Sequence, residues 1–444
     1  MNLYKKTKSF CPSCRKILDT NIIEKGGSMW MEKTCPQHGK FEIKIAKYAW
    51  YYKGLDSYTD NLFGENFYKK NNPTKIYTTS ITSRCNLNCP ICFADNQQLE
   101  SEDITINFFK DQLKKIKNRG LGVHFSGGEP TMKEDLPELI KEVRESGNKS
   151  AIFTNGVKIA QDLEYLKLLK KCGLSTIYLW MDTIKNPEIY KKMRGKDFTD
   201  LKMKVIENVK KINLPLRILA VVAKGINESE INDLMEFAKK EEIINFLFFR
   251  GYNYLGKCGF SSNQEFLIDE LVESVANQSR NLFTLEDIYY SQKLFLSLKA
   301  IVGKAPSCRQ CAVVFIPKKK EKLLHHIFRF DKFSIVLDEF EKIWQEDQKR
   351  ARKYLLLKCL SRLLTAPDLY YLYRTLKKTK AGSCDPPPFK NYYTLLINTI
   401  NNVATFDIEN IQRDCNDRSF NLGVKNNIPR CYELLDLYNK TPLI

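Results

Sequence analysis

No stretch of the sequence approaches the ~18 consecutive apolar residues that a membrane-spanning helix needs. Its start, MNLYKKTKSFCPSC, is basic but lacks the apolar core of a secretory signal. These absences predict a soluble, cytoplasmic protein. Cysteine is too sparse for a disulfide scaffold, with 14 in 444 residues against the roughly 8–10% that such scaffolds carry. Several cysteines stand in CxxC-type clusters, so they read as metal ligands in a reducing compartment. Neither an internal repeat at a solenoid period nor a low-complexity tract occurs, which excludes solenoids and a concentrated basic tail. Acidic residues are also short, 52 against 71 Lys and Arg, leaving a net charge of +19. That surplus suits nucleic acid, anionic headgroups or an acidic substrate, and equally a Lys- and Asn-rich genome, so charge alone selects none of them.

What remains is a globular composition, 43% hydrophobic and 12% aromatic, long enough for more than one unit. The pattern predicts three parts: a metal ribbon over residues 1–50, a βα core over 75–251 and an extension over 252–444. In the ribbon, Cys11-Pro-Ser-Cys14 and Cys35-Pro-Gln-His38-Gly39 flank strand-like runs at Ser28 to Glu32 and Lys40 to Ala46. Four soft ligands at this spacing are hard to explain without a metal, either zinc or a rubredoxin-like iron.

The core alternates short β-rich runs with stretches at helical spacing. Six strands are predicted, at Ile76 to Thr82, Gly122 to Ser126, Ser150 to Thr154, Thr176 to Asp182, Leu216 to Val222 and Asn245 to Arg250. Intervening helices fit Ile106 to Arg119, Leu136 to Ser146 and Leu163 to Cys172, the last stopped by Gly173. The fold class is therefore α/β, a partial (β/α)6 barrel with its chemistry at the C-terminal strand ends. Beyond Gly251 the alternation fades into loops and helices, with Asp347 to Lys380 basic, mostly helical and broken near Ala366-Pro367.

The most informative residues are Cys85-Asn-Leu-Asn-Cys89-Pro-Ile-Cys92, just after the first core strand. Three thiolates can ligate three irons of a four-iron cube, leaving the fourth iron open to a small molecule. A structural zinc site wants a fourth Cys or His nearby, and none follows closely. After the second strand comes Ser126-Gly127-Gly128-Glu129-Pro130, where a glycine pair allows close backbone approach. Asn155 closes the third strand and Asp182 the fourth, with Arg194 farther along. For each of these the alternative is a polar residue that caps the next helix. His124 is expected to pack rather than to move protons. Cys172 and Cys359 read as structural, the former as a buried small residue.

This CxxxCxxC, with the glycine turn and six βα units, resembles the radical S-adenosylmethionine (SAM) superfamily. The resemblance implies a [4Fe-4S] cluster on Cys85, Cys89 and Cys92. It implies SAM contacts from Ser126, Gly127, Gly128, Glu129, Pro130, Asn155, Asp182 and Arg194. Nearly the whole chain is similar to an archaeal subfamily of tetraether synthase type, earlier assigned as a pterin methyltransferase. The matching pieces are the ribbon, CNLNCPICFA, HFSGGEPTMKEDLPELI, GLSTIYLWMDT, Ala223-Lys224-Gly225-Ile226-Asn227, Cys308-Arg-Gln-Cys311 and Thr405-Phe406-Asp407-Ile408. It departs near the end, where Asp414-Cys415 replaces a cysteine pair. Among Cys258, Cys308, Cys311, Cys384, Cys415 and Cys431, an auxiliary [4Fe-4S] cluster is assigned to Cys308, Cys311, Cys415 and Cys431.

The resemblance further implies a transferase-like enzyme that couples isoprenoid lipid tails by adenosyl-radical hydrogen abstraction, reduced by a ferredoxin or flavodoxin. Lys349, Arg350, Arg352, Lys353, Lys358, Arg362, Lys377, Lys378 and Lys380 would then meet lipid headgroups, with peripheral contact at the inner membrane surface. The competing reading of that stretch is a solvated basic helix with its apolar face in the core. The alternative reaction is methylation of a pterin or similar heterocycle. An alternative of another class, a nucleic-acid-binding metal protein, is disfavoured by the joint cysteine and glycine motifs, so no nucleic acid is expected.

Overall fold

The computed structural model describes residues 2–70, 76–93, 103–254, 256–303, 311–318, 330–362, 392–399, 405, 407 and 417–419. Cys308, Cys384, Cys415, Cys431, Lys377, Lys378 and Lys380 lie outside them.

The N-terminal ribbon is a four-stranded antiparallel sheet: β1 (Asn2–Phe10), β2 (Ile17–Lys25), β3 (Ser28–Cys35) and β4 (Gly39–Ala46). Gly26 and Gly27, both at positive φ, make the two-residue hairpin that joins β2 to β3. A kinked helix, Ala49–Lys70, leads to the second sheet.

That sheet is built on six parallel strands: β5 (Ile76–Thr82), β6 (Gly122–Gly127), β7 (Lys149–Thr154), β8 (Leu174–Trp180), β9 (Leu216–Val222) and β10 (Ile244–Gly251). Each matches a strand expected from the sequence. The helices between them start and stop for local reasons. Thr105 caps Ile106–Lys114 by accepting from Phe108 N–H, and Asp162 caps Leu163–Cys172, which ends at Gly173 with φ 117°. Leu136–Glu145 carries Leu136, Leu139, Ile140 and Val143 at helical spacing, all fully buried. The first helix is shorter than expected, because the chain turns at Lys115 to Asn118 instead of continuing to Arg119.

The sheet does not stop at six strands. β11 (Cys311–Pro317) and β12 (Tyr392–Asn398) extend it beyond β10, β12 parallel to β10 and β11 antiparallel to β12. At the other edge β13 (Asp417–Ser419) pairs parallel with β5. The strand order is β11-β12-β10-β9-β8-β7-β6-β5-β13, an open sheet with no closed barrel among the described residues. The extension, expected to be loops and helices, thus contributes strands that pair with the core.

Side chains alternate between two faces. Ile152, Ile177, Leu179, Ile218, Ala220, Leu247, Phe249, Val314 and Ile397 join the large core under the helices. Their neighbours Ala151, Tyr178, Leu219, Phe246, Phe248, Val313 and Leu396 form a separate cluster on the opposite face, with Phe153 and Trp180 packed against it. His124 belongs to that face, against Phe153 and Tyr178. Cys172 is half-buried rather than buried, packed at the edge of the helix-side core.

The basic helix Gln348–Arg362 buries Ala351 and Leu355 among Tyr58, Phe63, Phe340 and Trp344, while Lys349, Arg350, Arg352, Lys353 and Lys358 are exposed. The helix thus packs Ala351 and Leu355 inside the protein, as a solvated basic helix does, and leaves Leu357 exposed beside its basic residues. No helix among the described residues is long and apolar enough to cross a membrane.

Candidate functional site

Two groups of chemistry-bearing residues stand out. In the ribbon, Cys11 and Cys14 lie on the turn between β1 and β2, and Cys35 and His38 on the turn between β3 and β4. Their four ligand atoms lie within 4.8 Å of one another. Cys14 Sγ is 3.7 Å from Cys35 Sγ, His38 Nδ1 is 3.4 Å from Cys35 Sγ, and Cys11 Sγ is 3.8 Å from His38 Nδ1. A tetrahedral zinc with Zn–S of about 2.3 Å separates its sulfur ligands by about 3.8 Å, so the donor set fits one ion. The turn is braced by Arg15 N–H to Cys11 O and by Cys14 N–H to Cys11 Sγ, with Arg15 itself at φ 60°.

The second group lies at the C-terminal ends of the parallel strands. Cys85, Cys89 and Cys92 are half-buried on the loop after β5, with Cys92 N–H bonded to Cys89 O. Burial, and then the charges of Glu129 and the other two thiols, push the Cys85 thiol up to about 12 against a hydrogen bond with the Leu87 backbone. The loop sits on the glycine turn. Gly128 N–H bonds Thr82 O and Glu129 N–H bonds Arg84 O. A Cβ on Gly128 would fall 2.1 Å from Arg84 O, and one on Gly127, at φ 112°, would fall 2.4 Å from Thr82 O. Only glycine lets the two loops touch in this way.

Glu129 is 2% exposed. Its carboxylate accepts from Thr131 N–H, Thr131 Oγ1, Thr154 Oγ1 and Asn155 N–H, tying the turn to the end of β7. Burial raises its pKa despite these four donors. Pro130 and Ser126 lie in the same turn, Pro130 buried and Ser126 half-buried. Asn155 does two jobs: its Oδ1 accepts from Val157 N–H in the turn that precedes the next helix, and its Nδ2 donates to Asn86 Oδ1 in the cysteine loop at 2.7 Å.

Asp182 is fully buried and accepts from Arg194 Nε at 2.6 Å, Arg194 NH2 at 2.9 Å and Val221 N–H at 2.9 Å. Burial opposes the charge on Arg194, but Asp182 and the Cys89 thiol more than offset that and raise its pKa. A cation held against one cysteine suits a thiolate-bound, net-anionic cluster, and the three-thiol loop with its glycine cradle fits such a group.

Several contributors escaped the sequence reading. The stretch after β10 folds over the loop: Lys257 N–H bonds Cys92 O, and Cβ atoms on Gly256 or Gly259 would lie 2.3 Å from Cys92 O and 2.6 Å from Pro90 O. Three glycines between Gly251 and Gly259 were the available signal. Cys258 belongs to this clamp, its Sγ 3.3 Å from Gly256 O. Lys202, 2% exposed, donates to Asn155 O at 2.6 Å, and burial first, then Arg194, lowers its pKa to about 8. In sequence it is one more lysine on a helix.

Of the residues assigned to an auxiliary cluster, only Cys311 is described. It is buried, and Asn398 Nδ2 lies 3.0 Å from its Sγ. Strand register places Val221, Arg250, Asn398 and Cys311 in one row, at the sheet end that also carries Asp182.

Comparison with known proteins gives these features a context. The family described as "Radical SAM superfamily" matches residues 79–238, and "HMPTM N-terminal zinc ribbon domain" matches residues 3–47. The chain is 33% identical over 309 residues to a 7,8-dihydro-6-hydroxymethylpterin dimethyltransferase of Methanocaldococcus jannaschii, covering 64% of this chain and 61% of that protein. It is 30% identical over 198 residues to a probable GTP 3',8-cyclase of Thermococcus kodakarensis, covering 41% and 63%. The match thus spans about six-tenths of the length of these relatives. Among solved structures, Streptococcus suis SuiB bound to precursor peptide SuiA aligns with a TM-score of 0.39 at 17% identity, over 61% of this chain and 69% of that one.

Proposed function

From a chain that carries a radical SAM superfamily domain at residues 79–238, we propose an enzyme that takes hydrogen from an unactivated carbon of an isoprenoid lipid and joins lipid tails. Cys85, Cys89 and Cys92 would hold a [4Fe-4S] cluster, which when bound would supply the electron for reductive cleavage of SAM. The chain's own residues bind, orient and keep water out. The backbone of Gly127 and Gly128 supports the loop, Glu129 fixes the turn, and Asn155 joins strand end to loop. Arg194, held by Asp182, places a positive charge beside Cys89.

The single observation that carries the lipid reading is the apolar wall of Phe153, Tyr178, Trp180, Leu219, Phe246, Phe248 and Leu396 on one face of the sheet whose strand ends bear the cysteine loop. Hydrocarbon gains from burial against such side chains, and the guanidiniums of Arg217 and Arg250 lie over the rings of the same face. The relative named as a pterin dimethyltransferase favours a second reading, methylation of a flat heterocycle, which the same aromatic rings would stack. An auxiliary cluster at Cys308, Cys311, Cys415 and Cys431 and a small electron-transfer donor belong to either reading.

Anaerobically reconstituted enzyme, SAM and reductant are incubated with archaeol-type phospholipid or with a pterin, and the products are read by mass spectrometry. Lipid should yield a species joined at chain ends and lighter by the hydrogens removed. A methylated pterin with no lipid product, and no faster 5'-deoxyadenosine formation with lipid, overturns the lipid reading.

A further inference from the structure

Asn155 ties the end of β7 to the cysteine loop, and hydrogen bonds hold it from three sides. Its N–H donates to Glu129 Oε2 at 2.7 Å, its Nδ2 donates to Asn86 Oδ1 at 2.7 Å, and its carbonyl accepts from Lys202 Nζ at 2.6 Å. The peptide that follows is where the chain leaves the strand and turns. Its carbonyl is the one that Lys202 holds, its N–H, on Gly156, donates to Thr154 Oγ1 at 3.0 Å, and Gly156 sits at φ 85°. A buried carbonyl left without a donor is costly, so without Lys202 the strand end would shift to find one, and the Asn155 amide would shift with it.

Lysine is an unexpected donor for this bond. Lys202 is 2% exposed and is the fourth residue of the helix Thr199–Lys211. Burying an ammonium is costly, and the positive end of the helix dipole disfavours a cation in the first turn. Side chains tilt toward the N-terminus of their helix. The ammonium accordingly comes to lie 5.3 Å from the ring centroid of Phe198, 6.0 Å from that of Tyr190, and against the strand end. Met would follow the same path without either cost, but it could not donate. We infer that Lys202 is a positioning residue of the SAM site: by holding the Asn155 carbonyl it aims the Asn155 amide at Asn86, and so sets the cysteine loop in the form that takes SAM. That role rests on the reading of the loop as a SAM-binding [4Fe-4S] site and not on the lipid.

The test uses the full chain, anaerobically reconstituted and reduced. SAM is titrated against the electron paramagnetic resonance signal of the cluster, iron is counted, and amide hydrogen exchange is followed over residues 83–93. A parent protein with no cluster signal that responds to SAM overturns the functional reading, and this role with it. With the parent responding, Lys202→Met should keep its iron and need about tenfold more SAM for half the change, in the range seen when groups behind metal ligands are removed. Exchange over residues 83–93 should quicken while that of the ribbon stays the same. Asn86→Ala removes the far end of the same chain of bonds, so the double variant should lose less than the two single losses combined. Lys202→Met with the parent's SAM half-saturation and the parent's exchange overturns the role even where its urea midpoint falls, since a fall in stability is all that packing would produce. Full additivity with Asn86→Ala overturns the route through Asn155. If Lys202→Met does not fold, Lys202→Gln is read by the same criteria.

Discussion

The ribbon and the cysteine loop both gather soft ligands, but they do so in different ways. Two antiparallel hairpin turns bring the ribbon's four ligand atoms within 4.8 Å of one another. The loop thiols hang half-exposed on a segment shaped by contacts with its neighbours: the glycine turn below, the Gly256 to Gly259 stretch on another side, Asn155 and Arg194 at the edges. Sheet hydrogen bonds can fix four ligands around a single ion. A multi-iron cube is larger than one ion, and its loop is positioned by tertiary packing while the cluster sets the final spacing.

The largest effect should come from the loop. Cys85→Ala, Cys89→Ala or Cys92→Ala is expected to abolish SAM-dependent 5'-deoxyadenosine formation while the far-ultraviolet circular dichroism stays that of the parent. Retained turnover in any of the three would break the assignment. Next, Cys35→Ala should cost the ribbon its metal and the hydrogen-exchange protection of Asn2–Ala46, with 5'-deoxyadenosine formation retained. Loss of turnover together with the ribbon metal would mean that the two sites are coupled, and the contrast between them would fail.

Asp182→Ala tests the support around the loop. It leaves Arg194 buried without its carboxylate, and the expected destabilisation is about 3–5 kcal/mol, measured by urea unfolding. Gly128→Ala should cost roughly 1–3 kcal/mol, as overpacking does, and slow SAM cleavage, because the colliding atom is the Arg84 carbonyl and moving it shifts the loop.

The smallest effect concerns the seam between ribbon and core. Tyr48 N–H bonds Asp269, while Lys47 and the Tyr48 hydroxyl bond Glu273. Burial acts to raise the Glu273 pKa, but its Lys47 and Tyr48 hydrogen bonds prevail and lower it. A carboxyl lowered in the folded state contributes stability above its unfolded pKa and loses it as pH falls through the folded value. Glu273→Gln should therefore lower the thermal midpoint slightly at neutral pH, and the gap from the parent should narrow on acidification through the carboxylate range. A gap independent of pH would remove the charge from the explanation.

Local pattern determined the ribbon turns, all six core strands and the cysteine and glycine motifs, because alternation, helical spacing and special backbone geometry act between residues close in the chain. Cys85, Cys89 and Cys92 could be read together for that reason, as could Cys11 with Cys14. What β11 and β12 do could not be read, since an edge strand is recognised only by the strand that it pairs with, and the partner, β10, is far away in sequence. Nor does the motif announce that the Glu129 carboxylate accepts from Thr131 and, on another segment, from Thr154 and Asn155. Lys33 and Lys202 look like any other lysine until burial singles them out. Sequence by itself set which groups could do the chemistry. Tertiary structure alone decided which of them face a ligand site and which are held inside as supports, because burial and charge compensation depend on neighbours that only the folded chain brings together.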